Sequence, residues 1–181
     1  VFRWIEPNAF LIGADLRGAD LSRVDLSDAD LSNALLDGAN LSGANLSGIR
    51  LRNASLDRAN LGYVVLIDAD LRSADLRGAD LSNTNLNDAN FTDAILREAD
   101  LSRAQSSVAD FSGADLGGAN LSSARLNFVN FSNSNLSGAD MSGAYLFGAN
   151  LSEADTGSLL TGLTRANHVE LEALKPQVEA N

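Results

Sequence analysis

Residues 14–48 read ADLRG ADLSR VDLSD ADLSN ALLDG ANLSG ANLSG, which is seven consecutive units of five residues. The same register runs from Leu11 to Leu151, where every fifth residue is Leu in all but five pentads. The five exceptions are Phe91, Ser106, Phe111, Phe131 and Met141. The residue two positions before each Leu is usually Ala, and the residue between them is mainly Asp or Asn. The chain therefore carries one continuous array of 29 pentads without an insertion.

A period of five fits no ordinary secondary structure. A strand repeats every 2 residues, a helix every 3.6 and a coiled coil every 3.5. Gly and Asp in every unit also oppose a helix. The pattern instead favours a coil that turns a corner every pentad, with Leu and Ala inside and Gly, Asn and Asp at the corner. Such coils bury their Leu layers by stacking, as in a solenoid.

The pentads 14–18 (ADLRG) and 139–143 (ADMSG) resemble the repeats of the pentapeptide-repeat family, and the resemblance covers residues 9–153. It implies an all-β fold, a right-handed quadrilateral parallel β-helix with four pentads per coil. On that geometry, residues 9–155 form the repeat domain, a solenoid of about seven coils and a rod of about 35 Å. The periodicity alone predicts a stacked solenoid but not its four-sided cross-section.

The two ends of the chain depart from the repeat. Residues 1–8 lie outside the register and are predicted to form an N-terminal cap, the alternative being a partner-binding arm. The C-terminal segment, residues 156–181, is predicted to form a second cap made of a short helix and a frayed tail. Residues 167–170 (NHVE) resemble a capping box, with Asn as N-cap and Glu three residues later. Pro176 then ends the helix.

The composition argues against several classes of function. The chain has 13 Lys and Arg against 24 Asp and Glu, a formal net charge of −11, which disfavours direct binding to nucleic acid or anionic membranes. Cys is absent, which excludes disulfides, thiolate metal sites and cysteine nucleophiles. The single His, His168, has no identifiable nucleophile or acidic partner, and Ser106 is interpreted as a local packing defect. We therefore predict no catalytic residues, no cofactor and no metal site.

The sequence predicts no membrane span, because its longest apolar run, residues 61–67, is far shorter than the roughly 20 residues that a spanning helix needs. No signal-peptide pattern is visible. The chain begins with Val1, so an upstream segment is a further expectation. Members of the family that it resembles occur in the bacterial cytoplasm, the periplasm and the thylakoid lumen, and are numerous in cyanobacteria. The compartment therefore stays open, with the cytoplasm favoured.

Counting four pentads per coil sorts the outward residues into four faces. We call third face the outward residues of the pentads centred on Leu21, Leu41, Leu61, Leu81, Leu101, Leu121 and Met141. The residue before each of these centres is Asp or Asn without exception. The third face is therefore a candidate acidic surface, with the carboxylates Asp20, Asp80, Asp100 and Asp140.

We call fourth face the outward residues of the pentads centred on Leu26, Leu46, Leu66, Leu86, Ser106, Leu126 and Leu146. Its outward positions include the apolar residues Val65, Ile67, Val108, Phe128, Tyr145 and Phe147. An apolar stripe on a soluble rod usually marks a surface that something covers. The fourth face is therefore a candidate interface for a protein partner, for a second copy of the chain or for the chain's own C-terminal segment.

Two functions follow as hypotheses. The first is a non-catalytic interaction scaffold without an assigned specific role, which is also typical of the family. The second comes from the resemblance, since some relatives mimic B-DNA, bind a type II topoisomerase (gyrase) and modulate it or protect it from quinolones. Residues 9–153 carry 19 acidic residues and 10 Arg. A duplex of about 35 Å would carry roughly 20 charges, about twice the net charge of this array. The scaffold is therefore the leading hypothesis.

Overall fold

The computed structural model describes residues 6–157, and in this range each pentad turns one corner. The carbonyl of the central Leu accepts a hydrogen bond from the N–H three residues later, as in Ala14 N–H to Leu11 O at 3.0 Å. The residue two positions after the centre has a positive φ, for example +63° at Gly18 and +58° at Arg23. A positive φ at this position of the turn is the mark of a type II turn. Each corner is therefore one turn of four residues.

The coils are joined by parallel pairing between residues twenty apart. Phe10 pairs with Asp30, and pairs with this spacing recur along the chain up to Asn135 with Asp155. Most pairs are single bridges. The longer strands are β1 (Gln105–Ser106) and β2 (Arg125–Leu126), which pair in parallel, with Gln105 opposite Arg125. Since twenty residues are four pentads, the predicted four pentads per coil are confirmed, while the handedness and the number of coils stay predictions.

The interior is filled by columns of Leu and Ala, as the repeat predicts. The central residues from Leu21 to Leu151 and most of the Ala residues two positions before them are nearly inaccessible to solvent. One column contains three aromatic rings in succession. Phe91 stacks on Phe111 with centroids 4.6 Å apart and an interplanar angle of 3°, and Phe111 stacks on Phe131 at 5.4 Å and 23°. Each coil thus buries the apolar layer of its neighbours.

The turn geometry begins one pentad earlier than the Leu register indicates. Asn8 has a φ of +62°, and the N–H of Ala9 donates to the carbonyl of Glu6 at 3.2 Å. The predicted caps lie largely outside the described residues, including the helix expected after residue 166 and His168. Within residues 6–157 the chain forms no helix, and hence none that is long and apolar enough to cross a membrane.

The pentad centred on Ser106 is the one place between residues 8 and 153 where the positive φ is missing. Val108 occupies the corner position there and does not adopt it, as expected of a β-branched residue. The N–H of Ala109 donates to the Ser106 hydroxyl at 2.9 Å instead of to a backbone carbonyl. Ser106 is therefore a buried residue that completes an irregular turn, in agreement with its interpretation as a local packing defect.

Candidate functional site

The Asp or Asn before each central residue fixes the start of the turn. Its side-chain oxygen accepts a hydrogen bond from the N–H two residues later, as between Asp20 and Ser22 at 3.2 Å and between Asn120 and Ser122 at 3.0 Å. The Ser22 hydroxyl and backbone N–H both lower the pKa of Asp20 by hydrogen bonding to its carboxylate. These side chains therefore have a structural role at the corner in addition to facing solvent.

The structure places the four candidate carboxylates of the third face on one ladder. Asp80 bridges directly to Asp100, whereas Asn40 and Asn60 separate Asp20 from Asp80. The amides bond to the neighbouring carboxylates: Asn40 Nδ2 donates to Asp20 Oδ1 at 3.2 Å. Asn120 Nδ2 likewise donates to Asp100 Oδ1 at 3.0 Å, and Asn120 bridges to Asp140 on its other side. Interleaved amides thus relieve repulsion between carboxylates along the third face.

The negative charge is not concentrated on the third face. Its outward and corner positions hold four Asp together with Arg23 and Arg103. The fourth face holds as many Asp with only Arg125 as a cation. The Asp residues of the fourth face are Asp25, Asp28, Asp68 and Asp88. The acidity of the chain is therefore spread around the rod, which the count of charges along the sequence did not reveal.

The predicted apolar stripe of the fourth face is discontinuous. Val65 and Ile67 are only half-exposed, and the positions that follow them on their ladders in the next two coils are polar; Val108 lies at the corner of the second of these coils. The intervening residues are Asn85, Asn87, Gln105 and Ser107. We call the second group, which is well exposed, the outer apolar cluster; it consists of Val108, Phe128, Tyr145 and Phe147. Pairing every twenty residues thus divides the predicted stripe into two groups, and its role as an interface stays a prediction.

The outer apolar cluster has a defined packing. The rings of Phe128 and Phe147 meet edge to face with centroids 5.3 Å apart and an interplanar angle of 86°. Phe128 lies over Gly148, where a Cβ would come within 2.5 Å of the ring. Arg125 places its guanidinium 6.0 Å from the centre of the Tyr145 ring. The rings nevertheless stay accessible, with 54% of Phe128 and 61% of Phe147 exposed to solvent.

A shallow cavity of about 220 Å³ adjoins the outer apolar cluster. It is lined by Asn87, Gln105, Ser106, Ser107, Arg125 and Asn127. Asn87 Oδ1 accepts from the Ser107 N–H at 2.8 Å, and Asn127 Oδ1 accepts from the Phe147 N–H at 3.2 Å. In both cases the pentad has no Asp or Asn before its central residue. An Asn of the preceding coil accepts the hydrogen bond from the turn N–H instead. These bonds hold the floor of the cavity and the backbone beneath Phe147.

Sequence reasoning missed the polar residues beside the cluster, namely Gln105, Arg125 and Asn127. Their signal is present in the sequence when it is counted in steps of twenty. Three of the four coils centred on residues 26, 46, 66 and 86 hold Asp at outward positions of the fourth face, whereas the three coils centred on residues 106, 126 and 146 hold no carboxylate there. The apolar positions of the fourth face do not by themselves show that its carboxylates end at Asp88.

The described residues offer little for catalysis or metal binding. No group of three or more His, Asp or Glu side chains within residues 6–157 has the geometry to hold a metal ion. The aspartates with the lowest pKa, Asp15 and Asp70, owe it to arginine partners, and each pKa is lowered to about 2. They are paired carboxylates rather than proton acceptors poised near neutral pH.

Comparison with known families gives one clear match. A model of the pentapeptide repeats matches eight copies across residues 8–38, 34–72, 65–103, 89–127, 107–143 and 124–155. No curated protein sequence matches the chain. The matched ranges together cover most of the chain, including both the third face and the outer apolar cluster.

Solved structures of pentapeptide-repeat proteins are also similar to the chain. HetL, a protein involved in heterocyst differentiation regulation in the cyanobacterium Nostoc sp. strain PCC 7120, is 29% identical, with 83% of this chain and 89% of HetL covered and a TM-score of 0.42. A protein of the Arabidopsis thaliana thylakoid lumen is 30% identical, with 71% and 66% covered and a TM-score of 0.26. A trypsin-treated QnrB1, a plasmid-mediated fluoroquinolone resistance protein, is 20% identical, with 94% and 96% covered and a TM-score of 0.48. With TM-scores below 0.5, these neighbours carry no inference about function.

Proposed function

The chain belongs to the pentapeptide-repeat family, and we propose that it is a non-catalytic member that serves as a protein-interaction scaffold. The observation that carries this proposal is the outer apolar cluster, three aromatic rings and a valine exposed on the same face in three consecutive coils. Clustered aromatic residues are typical of the centres of protein interfaces. The binding surface would be this cluster with the polar cavity beside it.

The conformation of Phe128 supports the proposal. Phe128 occupies a corner position with a φ of +57°, a conformation that disfavours side chains other than Gly and Asn. Gly fills the same position one coil later, at Gly148, with a φ of +68°. A strained residue that persists where a cheaper one would fit points to a role beyond folding. That role is to present an aromatic ring at the surface.

The test is capture of binding proteins from the native host with the wild-type chain and two matched double variants. Phe128→Ser/Phe147→Ser removes the two rings of the outer apolar cluster that meet edge to face. Phe10→Ser/Ile12→Ser removes two apolar side chains that are 85% and 60% exposed on a different face. We expect a protein retained by the wild type and by the control to be lost from the first variant. Identical retention by all three proteins would contradict the proposal.

The occupant of the cluster is a different protein, a second copy of the chain or the chain's own C-terminal segment. The particle mass in solution, measured by light scattering, separates the second case from the other two. A mass of two chains that falls to one in Phe128→Ser/Phe147→Ser would identify a self-dimer. A mass of one chain in both proteins would leave a different protein or the C-terminal segment, and only the former is retained in the capture experiment.

Mimicry of B-DNA toward a type II topoisomerase is the weaker alternative. It would need a dense, regular display of negative charge, because a duplex carries one charge about every 1.7 Å. On the third face Asn40, Asn60 and Asn120 occupy three of the seven ladder positions in place of a carboxylate, and Arg23 and Arg103 lie at its corners. We also propose the finer features of the fold. The coil is right-handed, as parallel crossovers favour. The repeat domain spans residues 9–155, makes about seven turns and has a cap at each end.

A further inference from the structure

We propose that the segment bound by the outer apolar cluster carries a carboxylate close to an apolar side chain, and that Arg125 and Arg103 receive this carboxylate. This inference rests on the proposed function and adds the chemistry of the partner. It starts from the ion pairs of the chain rather than from its apolar residues.

Most arginines of the described chain already have a carboxylate partner. Ion pairs with nitrogen–oxygen distances from 2.5 to 4.0 Å engage Arg17, Arg50, Arg52, Arg58, Arg72, Arg77 and Arg97. Three further arginines, Arg23, Arg103 and Arg125, have no carboxylate within 4.0 Å among residues 6–157. In a chain with a net charge of −11, an arginine without a partner is the exception.

Two of these three arginines lie beside the outer apolar cluster. Arg103 precedes Gln105 by two residues, and Gln105 pairs directly with Arg125 in the next coil. Both guanidinium-bearing residues are exposed. Since adjacent coils lie about 4.8 Å apart and residues two apart about 7 Å, the two backbone positions are close enough for one anionic group to contact both side chains.

The fourth face carries no carboxylate at its outward positions in the coils centred on residues 106, 126 and 146, and Asp100, three residues before Arg103, belongs to the third face. The outward positions of the fourth face in the coils centred on residues 106, 126 and 146 hold Gln105, Ser107, Val108, Arg125, Asn127, Phe128, Tyr145, Phe147 and Gly148. Asp88, one coil below Val108, is the nearest carboxylate of this face along the ladder. The region is therefore a cationic spot on an acidic rod, and it complements a negatively charged group.

The distance between Arg125 and the Phe147 ring determines how far the carboxylate of the ligand must lie from its apolar group. Arg125 lies against Tyr145 with its guanidinium 6.0 Å from the ring centre. Phe147 follows Tyr145 by two residues and projects from the same face, about 7 Å along the chain. A ligand that engages both the arginine and the Phe147 ring therefore needs its carboxylate within about 7 Å of an apolar group. An acidic residue next to an aromatic or aliphatic residue meets this requirement.

The experiment uses two small probes that differ only in charge, 3-phenylpropanoate and its neutral amide, 3-phenylpropanamide. Each is titrated into the full chain while the backbone amide resonances of the chain are followed by NMR. We expect both probes to shift the Phe128 and Phe147 amides, with the acid binding about two- to fivefold more tightly at low salt, as for an exposed ion pair. At ~1 M sodium chloride, where the Debye length is about 3 Å, the preference should disappear.

Variants separate this inference from the proposed function. Arg125→Gln and Arg103→Gln should each reduce the preference for the acid, whereas Arg17→Gln, whose guanidinium pairs with Asp15 at 2.6 Å on another face, should leave it unchanged. Equal affinity for the two probes in the wild-type chain, or shifts confined to other faces, would overturn the inference. The proposed function would stand in that case if capture of the partner still depended on Phe128 and Phe147.

Discussion

At the scale of single residues, the backbone conformation at the corner position limits which side chain each pentad can place there. The backbone there adopts a positive φ in nearly every pentad between residues 8 and 153, and Gly occupies many of these corners. Where Gly is replaced, the chain accepts the strain of a side chain, as at Tyr63 and Phe128. The aromatic residues at these corners therefore carry a backbone strain that Gly would avoid.

Two glycines test this interpretation as a matched pair. Gly143 and Gly148 have φ values of +69° and +68°, so a Cβ strains both equally. At Gly143 the nearest atom to a Cβ is 3.6 Å away, whereas at Gly148 the Phe128 ring is 2.5 Å away. We expect Gly143→Ala to lower the free energy of unfolding by about 1 kcal/mol. Gly148→Ala should cost more and should displace Phe128, seen as loss of its contact with Phe147 by NMR; equal costs would contradict this.

The ion pairs predict how stability depends on pH. Hydrogen bonds from Arg72 and Arg52 to its carboxylate lower the pKa of Asp70 from 3.8 to about 2, although partial burial opposes the shift. A carboxylate with a lowered pKa stabilises the fold above its unfolded pKa, and this contribution is lost as the pH falls toward 2. The expected contribution is on the order of 2 kcal/mol at neutral pH.

The corresponding variant is Asp70→Asn. Its free energy of unfolding, measured by denaturant titration at several pH values, should be lower than that of the wild type at pH 7. The difference should shrink between about pH 4 and pH 2, since the wild-type carboxylate becomes protonated there. A difference that stays constant over this range would show that the pairing contributes nothing.

The sequence predicts more about side-chain direction than about side-chain partners. The five-residue register correctly assigns Leu and Ala to the interior, because only one strip of each pentad can face inward. It does not reveal that Asn87 and Asn127 bond to the backbone of the next coil. Those partners depend on which residue lies twenty positions further along, a relation visible only once the coil length is known.

At the scale of the coil, stacking of like residues is the main source of stability. Phe91, Phe111 and Phe131 replace Leu in one column and form a continuous stack inside the rod. Stacked aromatic pairs add about 0.5–1.5 kcal/mol beyond the area that they bury. The column therefore stabilises the contact between the successive coils that contain these three rings.

Substitutions at Phe111 measure this contribution. Phe111→Leu restores the residue typical of the repeat and should cost about 1–2 kcal/mol, because it removes two ring stacks while keeping an apolar side chain. Phe111→Ala leaves a cavity and should cost about 3–5 kcal/mol. Chemical denaturation of both variants against the wild type is the measurement. If the Leu variant were as unstable as the Ala variant, the ring stack rather than the filled volume would determine stability.

The same scale shows where prediction from the sequence fails. The twenty-residue spacing of the ladder agrees with the four pentads per coil that the family resemblance implies, and it places the third-face residues on one ladder. The irregular turn at Val108 does not follow, since it depends on a particular residue that departs from the repeat. Departures from the repeat are also the residues that make one face differ from the others.

At the scale of the whole molecule, the charge is distributed in a way that does not favour mimicry of DNA. Among residues 6–157, carboxylates occur on all sides of the rod, and seven arginines pair with them. The most distinct surface of these residues is instead the outer apolar cluster, beside arginines that have no carboxylate within 4.0 Å in the described range. The molecule is thus best described as a regular rod that presents one irregular patch.

This distribution leads to a prediction for DNA gyrase. The chain should leave gyrase supercoiling unchanged even in large molar excess over the enzyme, because its carboxylates are interleaved with amides and arginines. A supercoiling assay titrated with the protein checks this. Inhibition that is lost when Asp20, Asp80, Asp100 and Asp140 are together replaced by Asn would contradict the prediction and make the third face the functional surface.

The most direct test of the outer apolar cluster as a binding surface is site-specific photocross-linking in the native host. The photoreactive analogue p-benzoylphenylalanine replaces Phe128 in one protein and Phe10 in a control, since both are exposed phenylalanines on different faces. Irradiation should give a discrete adduct from position 128 and none from position 10. Absence of an adduct at position 128, or the same adducts from both positions, would contradict the account.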